Sequence, residues 1–278
     1  MTSVALTIAG SDPSGGAGVQ ADLKTFHQHG VYGASVITLL TVQNTRGVSR
    51  VAVMDPSLVR EQLEAVVADL PPAAAKTGAL GTAAIVEVVA DAAERLELPL
   101  VVDPVMISKH GAPLVDEAAR VAIRERLLPR ATLVTPNAPE ASWLAGFDVV
   151  DRHSAREAAQ KIAELGAWAV LLKGGHLGGA QAVDYLWING QIVELSAPRI
   201  DSPHTHGTGC TYSAAITARL ALAEPLLTAV SDAKGWLTEA ILAPPRLPLG
   251  ARAAGARVGP VNHFTPVSRR KSVPPEPR

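Results

Sequence analysis

The chain has 278 residues, 47% of them hydrophobic and only 4% aromatic, with a formal net charge of −1. That apolar content builds a sizeable core and sets the chain apart from disordered sequences. The balanced charge leaves no basic footprint for a nucleic acid, and a single cysteine excludes an intrachain disulfide. No charged-then-apolar leader and no apolar run of membrane-spanning length stands in the sequence, so a cytoplasmic protein with no membrane partner is expected.

In chain order, short β-branched runs at 4–9, 35–42, 73–77, 100–103, 132–135 and 169–173 predict buried parallel strands. Helices are predicted at 56–70 behind an Asp55-Pro56 start, and at 83–96 and 116–127 from three-four apolar spacing. A further helix is predicted to 164, with Ser154-Ala155-Arg156-Glu157 as its capping box. Asn189-Gly190, between runs at 182–188 and 191–195, predicts a two-residue hairpin toward one sheet edge. Helices at 209–223 and 226–242 follow. The Arg-, Lys-, Pro- and Ser-rich stretch 268–278 reads as a disordered tail, leaving 1–267 as one domain. Strand-helix alternation of this kind implies right-handed crossovers and a doubly wound α/β sheet.

Ligands of such sheets gather beyond the carboxyl ends of the strands. The predicted exits here are all polar or Gly-rich: Gly10 to Gly18, Gln43-Asn44-Thr45, Lys76-Thr77-Gly78, Asp103-Pro104, Thr135-Pro136-Asn137 and Lys173-Gly174-Gly175-His176. They belong to one rim. His206-Gly207-Thr208-Gly209-Cys210-Thr211 runs straight into an alanine-rich helix, so Gly207 and Gly209 allow a close backbone approach while unpaired helix amides favour an anion. A thiol there is expected to have its pKa pulled down, which makes Cys210 a candidate base or nucleophile. The other reading is a small buried apolar residue. Asn137 and Glu140 stand three apart at a helix start, either as a cap or as groups facing phosphates through Mg2+. Gly16-Ala17-Gly18 fits a dinucleotide fingerprint, but 35–44 holds no ribose-binding carboxylate, and no Walker A lysine follows any glycine-spaced loop.

The run from Ala9-Gly10-Ser11-Asp12-Pro13-Ser14 through Asp22-Leu23-Lys24-Thr25-Phe26 is the first of several ordered blocks. The others are Val42-Gln43-Asn44-Thr45, Asp103-Pro104-Val105-Met106, Thr135-Pro136-Asn137, Lys173-Gly174-Gly175-His176, the Gly-Thr-Gly-Cys run and Gly259-Pro260-Val261-Asn262-His263-Phe264. Together they resemble the hydroxymethylpyrimidine/phosphomethylpyrimidine kinases of thiamine biosynthesis, members of the ribokinase-like superfamily, from Ser3 to Phe264. The resemblance implies a three-layer αβα sandwich around a mostly parallel sheet. It implies phosphorylation of 4-amino-5-hydroxymethyl-2-methylpyrimidine and then of its monophosphate, with ATP and Mg2+, K+ as a candidate further ion, and a homodimer.

It also implies roles. Gln43 would read the amino group and adjacent ring nitrogen of the pyrimidine, as a carboxamide reads adenine, with Asp22, Gly10, Ala79 and Val105 around the ring. Lys173, Asn137, Thr208, Gly209 and a flap lysine, Lys109, would meet the nucleotide or its phosphates. Glu140, and less directly Asp103, would serve the metal. Cys210 stands where sugar-kinase relatives carry an aspartate base, with the Gly207–Cys210 amides stabilising the moving phosphoryl group. Two departures bear on this: Ala79 replaces a methionine usual beside the pyrimidine, and 244–258 is longer and richer in Pro and Arg than the usual turn beside adenine. A pyridoxine/pyridoxal kinase on the same scaffold, or a pyrimidine-binding regulator without catalysis, are the competing readings. A nicotinamide oxidoreductase is disfavoured by the missing ribose carboxylate.

Overall fold

A computed structural model of the chain describes residues 2–108, 111–243, 252–253, 256–257 and 259–267. Nine strands form one sheet: β1 (Val4–Ser11), β2 (Tyr32–Asn44), β3 (Gly47–Val53), β4 (Ala74–Thr77), β5 (Leu100–Val102), β6 (Leu133–Val134), β7 (Val170–Leu172), β8 (Gln181–Ile188) and β9 (Gln191–Pro198). Their order is β3-β2-β1-β4-β5-β6-β7-β8-β9. Strands β2 through β7 in that order run parallel; β3 and β8 are antiparallel to their neighbours. This is the doubly wound arrangement expected, and the hairpin lies at one edge.

Strand alternation sends adjacent side chains into two separate cores. Leu6, Ala75, Val102 and Val134 pack under α2 (Pro56–Asp69), α3 (Ala83–Arg95), α4 (Glu117–Ala122), α5 (Ala138–Ala145) and α6 (Arg152–Ala163). Ala5, Ala74, Val101 and Leu133 pack under α1 (Gly18–Gln28), α7 (Thr208–Ala221) and α8 (Leu226–Leu242). From Thr211 to Ala221 every residue of α7 is buried. Its alanines let it lie close to the strands, its N-terminus meets their carboxyl ends, and its buried polar groups find partners, as Arg219 does in Glu224 and Asp232. No helix among the described residues is long and apolar enough to cross a membrane.

Three differences from the sequence expectations affect the site. First, β2 runs on to Asn44 instead of ending at 42, because β3 pairs with its far end; Gln43 faces Val48 inside that ladder and is not in a loop. Second, α6 is capped by Asp151, whose carboxylate accepts from Ser154 N at 2.8 Å while the Ser154 hydroxyl meets Asp151 N at 3.0 Å. Ser154 is therefore the third helical residue of the box and not its cap. Third, the helix predicted at 116–127 leaves α geometry after Ala122 for the wider turn of Ile123–Leu127. The segments 268–278 and most of 244–258 lie outside the described residues.

Candidate active site

The strand exits and the α7 N-terminus enclose a cleft of about 800 Å3. Its floor is built by charge. At the end of β4, Lys76 donates to Asp22 Oδ1 at 2.9 Å, and Thr7 donates to Asp22 Oδ2 at 2.6 Å; Lys76 and Asp22 have no exposed side-chain surface. Burial pushes Asp22 up, and Lys76 pulls it back only in part. Burial alone would lower Lys76, but Asp22, Cys210 and Asp103 outweigh it, so the ammonium keeps its proton. Each Asp22 oxygen thus accepts one hydrogen bond and keeps a further lone pair. Asp22 lines the cleft as expected, and there it is the counterion of Lys76, a pairing that sequence reasoning did not find.

A second pair lies beside the first. Lys173, just after β7, reaches Asp103 Oδ1 at 2.9 Å, and Thr135 and Ser213 complete the carboxylate at 3.2 and 3.3 Å. Burial opposes the charge on Asp103, yet Lys173 and Lys76 hold it below the usual carboxylate range. Lys173 is likewise raised, by Asp103 and Glu140 against burial. A Cβ on Gly209 would stand 3.4 Å from Lys173 Nζ, so the glycine keeps the α7 N-terminus open toward this cation.

Asn137 and Glu140 form a reciprocal capping box on α5, at 2.9 Å from Glu140 N to Asn137 Oδ1 and 2.8 Å from Asn137 N to Glu140 Oε2. The capping alternative is the one realised. Glu140 still borders the cleft, and burial, with Asp103 nearby, raises it to about 7 despite Lys173. Carboxylate oxygens at a phosphate site suit a hydrated Mg2+ chemically, and Glu140 fits that role through its cleft position. Asp103 fits it less well, since the Lys173 ammonium is already its counterion, whereas Glu140 accepts from backbone N–H groups.

Gly207 has φ +76°, and a Cβ there would stand 1.7 Å from the Gly16 carbonyl oxygen. Its freedom therefore serves the docking of the Ser11–Gly18 loop, and Gly207 also lines the cleft. The expectation for Cys210 is corrected. Burial, aided by Asp22 and Asp103, lifts its thiol to about 11 although Lys76 pulls the other way. The resting group is a thiol. Gly10, Gln43, Ala79, Val105 and Thr208 all line the cleft as expected, whereas Lys109 lies outside the described residues. The segment flanking it is pinned by backbone bonds from Leu114 to Met106 and from Ser108 to Ala112, at 3.0 and 2.8 Å.

Sequence reasoning also missed His206, whose Nε2 lies 2.8 Å from Asp12 Oδ2. It missed Asp184 as well, which accepts from Gly174 N at 2.9 Å and from Lys234 at 2.7 Å beneath the Lys173 turn. Both are single polar residues in stretches read for other reasons, so neither carried a spacing signal.

Solved structures share this fold. The ADP complex of Bacillus subtilis pyridoxal kinase is 38% identical with a TM-score of 0.82, covering 95% of this chain and 98% of that one. Staphylococcus aureus pyridoxal kinase with AMP-PCP and pyridoxal is 33% identical, TM-score 0.84, with 95% of each chain covered. Fold and cleft together define a kinase of the ribokinase-like class. Within that class, the phosphomethylpyrimidine kinase family profile matches residues 12–261. Hydroxymethylpyrimidine/phosphomethylpyrimidine kinases of Synechococcus elongatus and Escherichia coli are 48% and 43% identical, covering 95% and 94% of this chain and 98% and 97% of their own length. The chain belongs to the phosphomethylpyrimidine kinase family.

Proposed function

We propose that this cleft transfers the γ-phosphoryl group of ATP first to the alcohol of 4-amino-5-hydroxymethyl-2-methylpyrimidine and then to the resulting monophosphate, giving the diphosphate used to build thiamine diphosphate. The observation that carries this reading is the pairing, in one cleft, of the Gln43 carboxamide with the amide cradle of Gly207 to Cys210. Gln43 offers a donor and an acceptor side by side, which is what an aminopyrimidine edge requires. The phosphoryl group would pass over the α7 N-terminus, whose amides and dipole favour the charge that spreads over its oxygens. Lys173, held by Asp103, adds a fixed cation on the nucleotide side. Mg2+ would supply further charge neutralisation at the phosphates, held by way of water near Glu140.

Cys210 is the cradle side chain placed to take the alcohol proton, and it can do so only as thiolate. The monophosphate is already an anion, so the second transfer needs no such step. A homodimer in the cytoplasm completes the reading. Leu40 and Val42, on the β2 face opposite the cleft-lining Thr41 and Gln43, are 45% and 58% exposed and give a second copy an apolar surface.

Pyridoxal, the ligand of a structural neighbour, is the alternative alcohol, and Ala79 leaves room beside the ring. Its ring has a phenolic hydroxyl where the pyrimidine has an amino group, which suits Gln43 less well. Product analysis decides: enzyme with MgATP and the aminopyrimidine alcohol should yield the monophosphate and then the diphosphate, with slower turnover of pyridoxal. Faster turnover of pyridoxal, or nucleotide binding with no product from either alcohol, would overturn the reading.

A further inference from the structure

We propose that His206, fixed by Asp12, is a positioning residue that locks the Gln43 carboxamide in one orientation and thereby decides which pattern of ring-edge donors and acceptors the cleft accepts. This rests on the reading of Gln43 given above. In the structure Gln43 Nε2 lies 3.4 Å from His206 Nε2, and Gln43 Oε1 lies 3.2 Å from Thr41 Oγ1. What each offers is set by its other partner. An ionised carboxylate can only accept, so with Asp12 Oδ2 at 2.8 Å the His206 Nε2 carries its one proton; Asp12 takes the main share, and the same N–H edge faces Gln43 at 3.4 Å as a weaker donor that favours an oxygen over an amide nitrogen. Thr41 has one hydroxyl proton, and the Ser11 carbonyl oxygen at 2.8 Å takes it, leaving Thr41 as an acceptor toward Gln43.

A carboxamide with its nitrogen toward His206 and its oxygen toward Thr41 would set donor against donor and acceptor against acceptor. A half-turn of the amide cures both conflicts at once. So turned, the amide presents Oε1 to His206 and Nε2 to Thr41. One N–H and one oxygen lone pair remain for the ligand, in a fixed order along the ring edge. The amino group and ring nitrogen of an aminopyrimidine match that order. The corresponding 4-oxo pyrimidine carries a carbonyl and a ring N–H in the same places, which is the reversed pattern.

The lock is stiff. His206 is 3% exposed, and a Cβ on Gly16 would stand 2.3 Å from its ring, so the Ser11–Gly18 loop lies against it. Its backbone is tied to the 259–261 segment by bonds to Gly259 and from Val261, at 3.1 and 3.4 Å. Asp12 is held in turn by Ser14 N, Ser14 Oγ and Ala17 N at 2.8, 2.7 and 2.9 Å.

The test compares dissociation constants for the aminopyrimidine alcohol and its 4-oxo analogue by calorimetry in wild type, Gln43→Ala, His206→Ala, Thr41→Val and the Gln43→Ala/His206→Ala double variant. A freed amide can turn to read either edge, so His206→Ala and Thr41→Val should each narrow the preference for the amino form by about tenfold, the scale of one misplaced hydrogen bond. ADP affinity should stay unchanged. His206→Ala should add nothing once Gln43 is gone. Thr41→Val replaces one β-branched residue with another in β2 and carries the test if His206→Ala does not fold. If Gln43→Ala abolishes the preference while the other two single variants keep it in full, or if the double variant is additive, the lock falls and the Gln43 reading stands. If Gln43→Ala leaves the preference intact, both fall.

Discussion

Cys210 separates two ideas that its place in the chain merges. A helix N-terminus lowers a thiol pKa where solvent can reach it, but here the group sits in a cleft among Asp22, Asp103 and Lys76, and burial with the two carboxylates wins, giving about 11. Below that value, thiolate grows about tenfold with each pH unit. If Cys210 takes the alcohol proton, the single-turnover rate of the first phosphorylation should climb on that slope between pH 7 and pH 9. The second transfer should stay nearly flat, and Cys210→Ala should remove the slope from the first. Parallel profiles for the two steps would show that Cys210 positions but does not accept the proton. The residue scale is also where sequence reading was weakest. Gln43, Lys173 and Glu140 were legible because each stands beside Gly, Pro or Asn punctuation at a strand exit. Lys76 and Asp22 were not read as a pair, since they are 54 positions apart and meet only because β1 pairs with β4 and α1 packs on β1, with Thr7 bonded to Asp22.

At the scale of elements, local chemistry was legible wherever it was self-contained. The hairpin is the clearest case: Asn189 and Gly190 take φ 50° and 75°, the two positive values that a type I′ turn demands. The parallel strands were legible as short runs rich in Ala, Val, Ile and Leu, because most of their side chains are covered on both faces of the sheet. β3 was not. Its Gly47–Val53 stretch is half-exposed and mixes Arg, Ser and Val, so it carries no buried run, and its pairing with the end of β2 fixes it instead. Two glycines show how element junctions differ. A Cβ on Gly190 would have nothing within 4 Å, so Gly190→Ala meets only the backbone cost of a left-handed conformation, about 1–2 kcal/mol. Gly207→Ala meets that cost and a collision with the Gly16 carbonyl. Denaturant melts should show a modest loss for the first and a much larger one for the second; equal losses would mean that the loop moves freely away from α7.

For the whole molecule, the balance of buried titratable groups sets the response to acid. His29 and His263 are buried, and burial drops both to about 4 from an ordinary 6.5. As pH falls below 6.5, the unfolded chain therefore takes up two protons that the folded chain refuses, and stability is lost. Glu140 works against them. Its folded value of about 7 lies above the ordinary 4.5, so between these values the folded state holds a proton that the unfolded state lacks, which favours folding as pH falls. From pH 6.5 to 5 the two histidines against Glu140 would cost at most about 1.4 kcal/mol per pH unit; His176, which burial also lowers, adds to the loss, and Asp22, which burial raises, works against it. Asp12 and Asp103 have depressed values, so their contributions fade only below the ordinary carboxylate range and leave this window alone. His29 packs edge-on against Trp236 at 4.7 Å between ring centroids, and its Nδ1 meets the Thr25 carbonyl oxygen at 2.9 Å. Phenylalanine keeps the ring and removes the titration. His29→Phe should therefore make the urea midpoint fall less between pH 6.5 and 5 than it does in the wild type, whatever its absolute stability. Parallel declines in the two proteins would show that the loss comes from groups other than His29.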